Sequence, residues 1–255
     1  MAVLKPKVFR FESLPSTNTE LARLASEGAA EGVSIVADEQ TAGRGRLQRA
    51  WSSPKGAGLY FSILLRPVIP QNYWPLITFM AALAVGDALS EAAGVQTDIK
   101  WPNDLLSGER KICGILAEAI DTPAGRAVIV GIGINLTQNA FPPQLANVAT
   151  SVAEATGQAM SHVVDRERIL AVLLDALSRW YSLLDEPERI VDAWSNRSSY
   201  AIGKLVQVSN GDDVWQGTTS GIERDGALRL RTTSGEIKLV RAGDVYRIRA
   251  SKNEL

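Results

Sequence analysis

Gly43-Arg44-Gly45-Arg46-Leu47-Gln48-Arg49-Ala50-Trp51 lies inside a stretch, Thr41 to Gly58, that carries four basic side chains and no acidic one. The whole 255-residue chain has a formal net charge of −1, so this positive charge is concentrated rather than spread. Glycine lets a backbone approach a ligand closely and offer its N–H, and arginine matches carboxylate or phosphate oxygens with a planar fork of donors. The stretch therefore reads as a loop for an anionic ligand. A solvated basic loop or a nucleic-acid contact is the alternative that composition leaves open. Runs rich in β-branched and aromatic residues flank it, Val33 to Ala37 and Leu59 to Leu65, which predicts a long irregular insert between two strands of one domain.

Upstream, Thr17-x-x-Glu20 predicts a capping box opening a short amphipathic helix, with Leu21, Leu24 and Ala25 on one face as far as Gly28. Downstream, Tyr73 to Ala93 predicts a buried helix stopped by Gly94. Thr97 to Trp101, Ile112 to Ile120 and Ala127 to Asn135 predict strands, the last two a hairpin through residues 121–125. Val163 to Leu184 predicts a second long helix with Ile169, Val172, Leu173, Ala176, Leu177 and Trp180 on one face, and a shorter one after Pro187 carries Ile190, Val191 and Trp194. From about Tyr200 the texture changes. Asn210-Gly-Asp, Asp225-Gly and Ser234-Gly punctuate strands near 204–209, 214–222, 227–233, 236–241 and 244–249, the pattern of a small SH3-like β-barrel. The expected division is residues 1–199 and 200–255.

Apolar residues make up 45% and charged residues 22%, which suits a globular α/β domain and excludes disorder, collagen and coiled coil. Near-neutrality argues against a whole-surface binder of nucleic acid or anionic membrane. Cys113 and His162 are each the only residue of their kind, so an intrachain disulfide, a cysteine-based zinc site and any site needing two imidazoles are ruled out. Residues 1–14 lack the apolar core of a signal peptide, and Leu76 to Val85 falls short of the roughly 20 residues that span a bilayer. A cytoplasmic protein is expected, relying on Lys, Arg, Asp, Asn and backbone groups for its chemistry. Cys113 reads as a buried apolar residue, His162 as a solvated or capping one, and Trp180, Trp194 and Trp215 as core or interface.

Two further segments carry chemistry. In Lys100-Trp101-Pro102-Asn103-Asp104, Pro102 helps fix a turn that presents Asn103 and Asp104 at a strand end. Arg110-Lys111 precedes the apolar strand Ile112 to Leu116, so Lys111 sits at the rim of a candidate cleft, either bridging anions or snorkelling at an edge. Gly131-Ile-Gly133-Ile-Asn135 is half a dinucleotide fingerprint, but Leu136 stands where the third glycine belongs and no helix follows. No Walker motif is present.

Taken as a set over residues 11–249, Ser16-Thr17-Asn18, the Gly/Arg loop, Lys-Trp-Pro-Asn-Asp, Arg-Lys-x-x-Gly-Ile and Gly-Ile-Gly-Ile-Asn resemble the biotin protein ligase family. The resemblance implies a mixed β-sheet catalytic domain flanked by helices, an α+β architecture shared with class II aminoacyl-tRNA synthetases. It implies that biotin and MgATP form biotinoyl-5′-AMP, which a lysine of a biotin carboxyl carrier protein domain then attacks. By family pattern Ser16, Thr17, Asn18 and Gln40 line the biotin end, with Ile112 to Leu116 as a wall for the valeryl chain. Gly43, Arg44, Gly45 and Arg46 form the closing loop, Gly114 and Lys111 join the substrate-binding set, and Arg49, Trp51, Asn103 and Asn135 serve the nucleotide. Lys111 and Arg46 are the catalytic cations, and Asp104 is expected near Mg²⁺, at the acceptor lysine, or as a turn carboxylate. The family commonly has Gly where Gln48 stands. Helix-turn-helix repressor members carry an N-terminal domain for which about ten residues before Phe11 leave no room, so no DNA binding is expected; the protein is expected as monomer or homodimer, without a membrane partner. A lipoate or octanoate ligase or transferase is the nearest alternative. A ligand sensor or RNA-binding module is a further one, although residues 201–250 lack the aromatic and basic stripe used for single strands.

Overall fold

The computed structural model describes residues 4–157 and 164–247; His162 and the expected helix start at Val163 lie outside them. Seven strands form one mixed sheet: β1 (Lys7–Leu14), β2 (Val33–Gln40), β3 (Gly58–Leu65), β4 (Asp98–Lys100), β5 (Asp104–Ser107), β6 (Arg110–Thr122) and β7 (Gly125–Asn135). Their order is β1-β2-β3-β7-β6-β5-β4, with β1 and β2 parallel and the other neighbours antiparallel. β3 is buried along its whole length because both of its faces are covered. On one face α1 (Thr17–Ser26) packs Leu21 and Ala25 against Ile35, Leu64 and Ile129. On the other, α2 (Leu76–Ala93) packs against β5, β6 and β7, and Phe61, Ile63 and Leu65 of β3 join the same core.

α2 is apolar nearly all round because it lies between the sheet and two further helices, α4 (Arg166–Tyr181) and α5 (Pro187–Ser195). It has the length and composition of a membrane span, and burial in this core accounts for that composition. Gly94 closes it in the left-handed conformation, φ 68°, as its sequence position predicts. The helix begins at Leu76 rather than Tyr73, since Pro75 has no N–H with which to continue the 3₁₀ turn of Gln71–Tyr73. α4 likewise begins at Arg166, where Asp165 caps the Arg168 N–H at 2.9 Å, and it ends at Tyr181 rather than Leu184. A short α3 (Val152–Ala155) precedes it. The Phe79 and Trp194 rings stack with centroids 4.5 Å apart, joining α2 to α5.

The C-terminal strands β8 (Ile202–Asn210), β9 (Asp213–Ile222), β10 (Leu228–Thr232), β11 (Ile237–Val240) and β12 (Asp244–Arg247) form an antiparallel sheet ordered β11-β10-β9-β8-β12. Val206, Val208, Leu228, Leu230 and Val245 on its inner face are continuous with the main core. The buried Trp101 Nε1–H donates to Gly226 O at 3.0 Å, which anchors the turn before β10 to the larger sheet.

Candidate active site

Gly114 on β6 pairs with Gly133 on β7, and Gly131 lies opposite Leu116. These glycines floor a cavity of about 630 Å³. A side chain on any of them would strike what lies above: at Gly133 a Cβ would stand 2.5 Å from Trp51 Nε1, and at Gly114 3.0 Å from Lys111 Cε. At Gly131 it would strike the Asn18 amide. Every site residue expected from the sequence lines this cavity except Gly43. Gly43 instead closes the loop, accepting the Trp51 N–H at 2.9 Å where a side chain would strike the Trp51 carbonyl.

Ser16, Thr17 and Asn18 are buried at the N-terminus of α1. The expected capping box does not form: Ser16 is the N-cap and makes no side-chain cap bond, while Glu20 pairs with Arg23 at 2.6 Å. Thr17 faces the cavity, giving its N–H (2.9 Å) and its hydroxyl (3.1 Å) to Gln40 Oε1. Gln40 Nε2 donates to Ser53 Oγ at 2.8 Å. The fully buried Ser62 hydroxyl lies 2.7 Å from Thr17 Oγ1 and 2.6 Å from Asn18 Oδ1. This end presents both donors and acceptors, and Ile115 and Leu116 border it. Ile112 and Cys113, expected to share that wall, are wholly buried in the core, and burial pushes the Cys113 thiol far up.

The basic loop is ordered by partners remote in sequence. Arg44 forms a bidentate pair with Glu118, at 3.0 and 2.9 Å. Arg46 Nη1 donates to Asn103 Oδ1 at 3.2 Å and Nη2 to Gly243 O at 3.1 Å, and Arg49 meets Asp244 at 2.6 Å. A hydrogen bond with Tyr246, together with the Asp244 carboxylate, holds Arg49 above the ordinary arginine range. Thus β12 of the C-terminal sheet supplies part of the cavity. No local motif marks Glu118, Ser62, Asp244 or Tyr246, so sequence reading did not find them. Leu47 and Gln48 both take positive φ, 53° and 59°.

Lys111 Nζ lies 2.6 Å from Asp104 Oδ1 and 5.2 Å from the centroid of the Trp51 ring. Among the described residues the buried Trp51 Nε1–H has no acceptor. Asn103 Nδ2 donates to Ile115 O at 2.7 Å, and the buried Asn135 gives its Nδ2 to Thr150 O at 3.0 Å. Lys100 also lines the cavity, its ammonium about 6 Å from the Tyr200 and Tyr246 rings. Burial pushes Lys100 below the ordinary lysine value, a shift that nearby Asp104 opposes and Lys111 reinforces. Five cations around one cavity, three of them arginines, suit a ligand carrying several negative charges.

Residues 10–135 match the model of the biotin/lipoate A/B protein ligase family, and residues 201–247 match the biotin protein ligase C terminal domain. The bifunctional ligase/repressor BirA of Bacillus subtilis is 38% identical over 236 residues, covering 91% of this chain and 71% of that protein. The biotin--[acetyl-CoA-carboxylase] ligase of Paracoccus denitrificans is 36% identical over 238 residues, 91% of this chain and 96% of that one. Among solved structures, the biotin protein ligase from Aquifex aeolicus in complex with biotin and ATP superposes with a TM-score of 0.80 at 30% identity, covering 95% of this chain and 99% of that chain. With both sheets, the cavity between them and near full-length similarity in agreement, the chain belongs to the biotin protein ligase family.

Proposed function

We propose that this biotin--[acetyl-CoA-carboxylase] ligase joins biotin to ATP within the glycine-floored cavity, and then passes the biotinoyl group to a lysine of a carboxylase carrier domain. The observation that carries the residue assignment is the convergence of Arg44, Arg46, Arg49 and Lys111 on the cavity that also holds the donor and acceptor cluster of Thr17, Asn18 and Gln40. Biotin's carboxylate is already ionised at neutral pH, so the first step needs charge neutralisation more than a base. The carboxylate oxygen attacks the α-phosphorus and pyrophosphate leaves, with Lys111 positioned to lie between the two anions and Arg46 and Arg49 at the phosphates. Trp51, Asn103 and Asn135 bound the adenine side. Thr17, Asn18 and Gln40 meet the ureido group, with Ser16 beside them.

In the second step the acceptor amine attacks the mixed anhydride carbonyl and AMP leaves. Asp104 loses its ion-pair partner whenever Lys111 turns to substrate, and its carboxylate is then free to take the proton of the incoming amine. Among the described residues no group of three or more His, Cys, Asp or Glu side chains could hold a metal. Mg²⁺ would come in on ATP and add to phosphate neutralisation, with Asp104 able to meet it once Lys111 has turned to substrate. We assign residues 1–199 to this chemistry and 200–255 to the domain that closes the site through Asp244, in a protein acting in the cytoplasm. ATP–pyrophosphate exchange with biotin, lipoate, octanoate or no acid tests the reading. Exchange with biotin alone supports it, and exchange driven by lipoate or octanoate overturns the substrate.

A further inference from the structure

We propose that Glu118 is a positioning residue that ties the Arg44 end of the basic loop to the polar floor of the acid-binding pocket. The inference rests on the reading above that Asn18 meets the ureido group of biotin and that Arg44 belongs to the loop that closes on the ligand. Glu118 stands on β6, its side chain about one-third exposed at 30%. Its carboxylate takes both Arg44 Nη groups at 3.0 and 2.9 Å and the Asn18 Nδ2 at 2.7 Å.

The Asn18 amide has one orientation that satisfies it. Its nitrogen donates to Glu118 and to Leu116 O (3.3 Å), while its oxygen lies 2.6 Å from the Ser62 hydroxyl. Turned over, it would set oxygen against a carboxylate and a carbonyl, so Glu118 fixes which way the amide presents its polarity to a ligand. The same carboxylate draws Arg44 down across the pocket and is itself neutralised by it. At the other end of the loop, Ser53 Oγ receives Gln40 Nε2 (2.8 Å) and donates to Trp51 O (3.2 Å). Both ends of the loop are thereby fastened to one floor, and Glu118 is the charged fastening.

The test measures KM for biotin and for ATP separately in pyrophosphate exchange, for wild type, E118A, E118D, R44A and the R44A/E118A double variant, together with tryptic cleavage of the loop in ligand-free wild type and E118A. E118A is expected to raise the biotin KM about tenfold with the ATP KM within about twofold, the effect of losing a charge-assisted hydrogen bond. E118D recovers part of the loss, the double variant is no worse than the poorer single one, and the E118A loop is cut several times faster. A biotin KM unchanged in E118A, both KM values rising together, or R44A and E118A effects that multiply would each overturn the positioning role. If wild type shows no biotin-dependent exchange, the substrate reading fails instead. The cleavage rates then decide the tether alone, and equal rates overturn it.

Discussion

Lys111 and Asp104 reach the same cavity, 2.6 Å apart, because a β-bulge lies between their strands. Asp104 pairs with Gly114 and Leu105 with Cys113, but Leu106 pairs with Lys111, so Ile112 is the extra residue. The bulge lets Ile112 and Cys113 both point into the core while Lys111 and Gly114, three positions apart, both face the cavity. A regular strand would put Lys111 and Gly114 on opposite faces.

Lys111→Ala is therefore expected to remove the cation that stands beside both Asp104 and the Trp51 ring. Biotin-dependent pyrophosphate exchange should fall by about 100-fold or more, the scale of losing one transition-state charge partner. Exchange at the wild-type rate would take Lys111 out of the chemistry.

Asp104→Asn keeps the shape and removes the proton acceptor. Transfer from preformed biotinoyl-AMP to a carrier domain should slow by about 10²-fold or more, as expected for general-base loss, with a smaller effect on exchange. Single-turnover transfer rates check it, and equal slowing of both steps would reduce Asp104 to a partner of Lys111.

Gly133→Ala would place a methyl 2.5 Å from Trp51 Nε1. The indole must lift. An ATP KM raised about tenfold, with the fold intact, is the expected result, of the order of one lost aromatic contact. An unchanged KM would separate Trp51 from the nucleotide.

Gln48 sits at φ 59° beside Leu47 at 53°, each a left-handed residue costing about 1–2 kcal/mol. Gln48→Gly should relieve part of that strain and Gln48→Val should add to it, because a β-branched side chain tolerates positive φ least. Comparing the two in urea melts, and for tryptic cleavage at Arg46 and Arg49, measures the loop's conformational cost. Identical stabilities would mean the loop leaves that conformation in solution.

Away from the site, burial pushes the Asp87 carboxyl up, and hydrogen bonds from Trp180, Arg197 and Arg179 outweigh this and hold it below the ordinary carboxylate value. A depressed carboxyl stabilises above its unfolded-state pKa and loses that contribution as pH falls through its folded-state pKa. Asp87→Asn should thus cost about 1–3 kcal/mol at pH 7, as for hydrogen bonds to a charged group, with the gap from wild type closing in acid. Urea melts between neutral pH and the acid range below the ordinary Asp pKa check both parts.

Much of the fold was legible because it rests on local chemistry. Gly94 and the Asn210-Gly211 turn need positive φ, and the long apolar runs of α2 and β3 need burial on every side. β1 escaped notice because it is a half-exposed edge strand with weak alternation, and β5 because it has four residues. The capping box failed for a tertiary reason: Gln40 and Ser62, from other strands, claim the Thr17 hydroxyl.

The sequence by itself determined that positive charge and glycine are concentrated in one loop, which points to an anionic ligand at any geometry. It also marked the segments that come to line the cavity, because each motif is contiguous. Only the tertiary structure decided the electrostatic partners. Glu118 meets Arg44 across 74 positions and Asp244 meets Arg46 across 198. The physical reason is that an ion pair depends on separation in space, which strand register, a bulge and the docking of the second sheet set, and which no local pattern encodes.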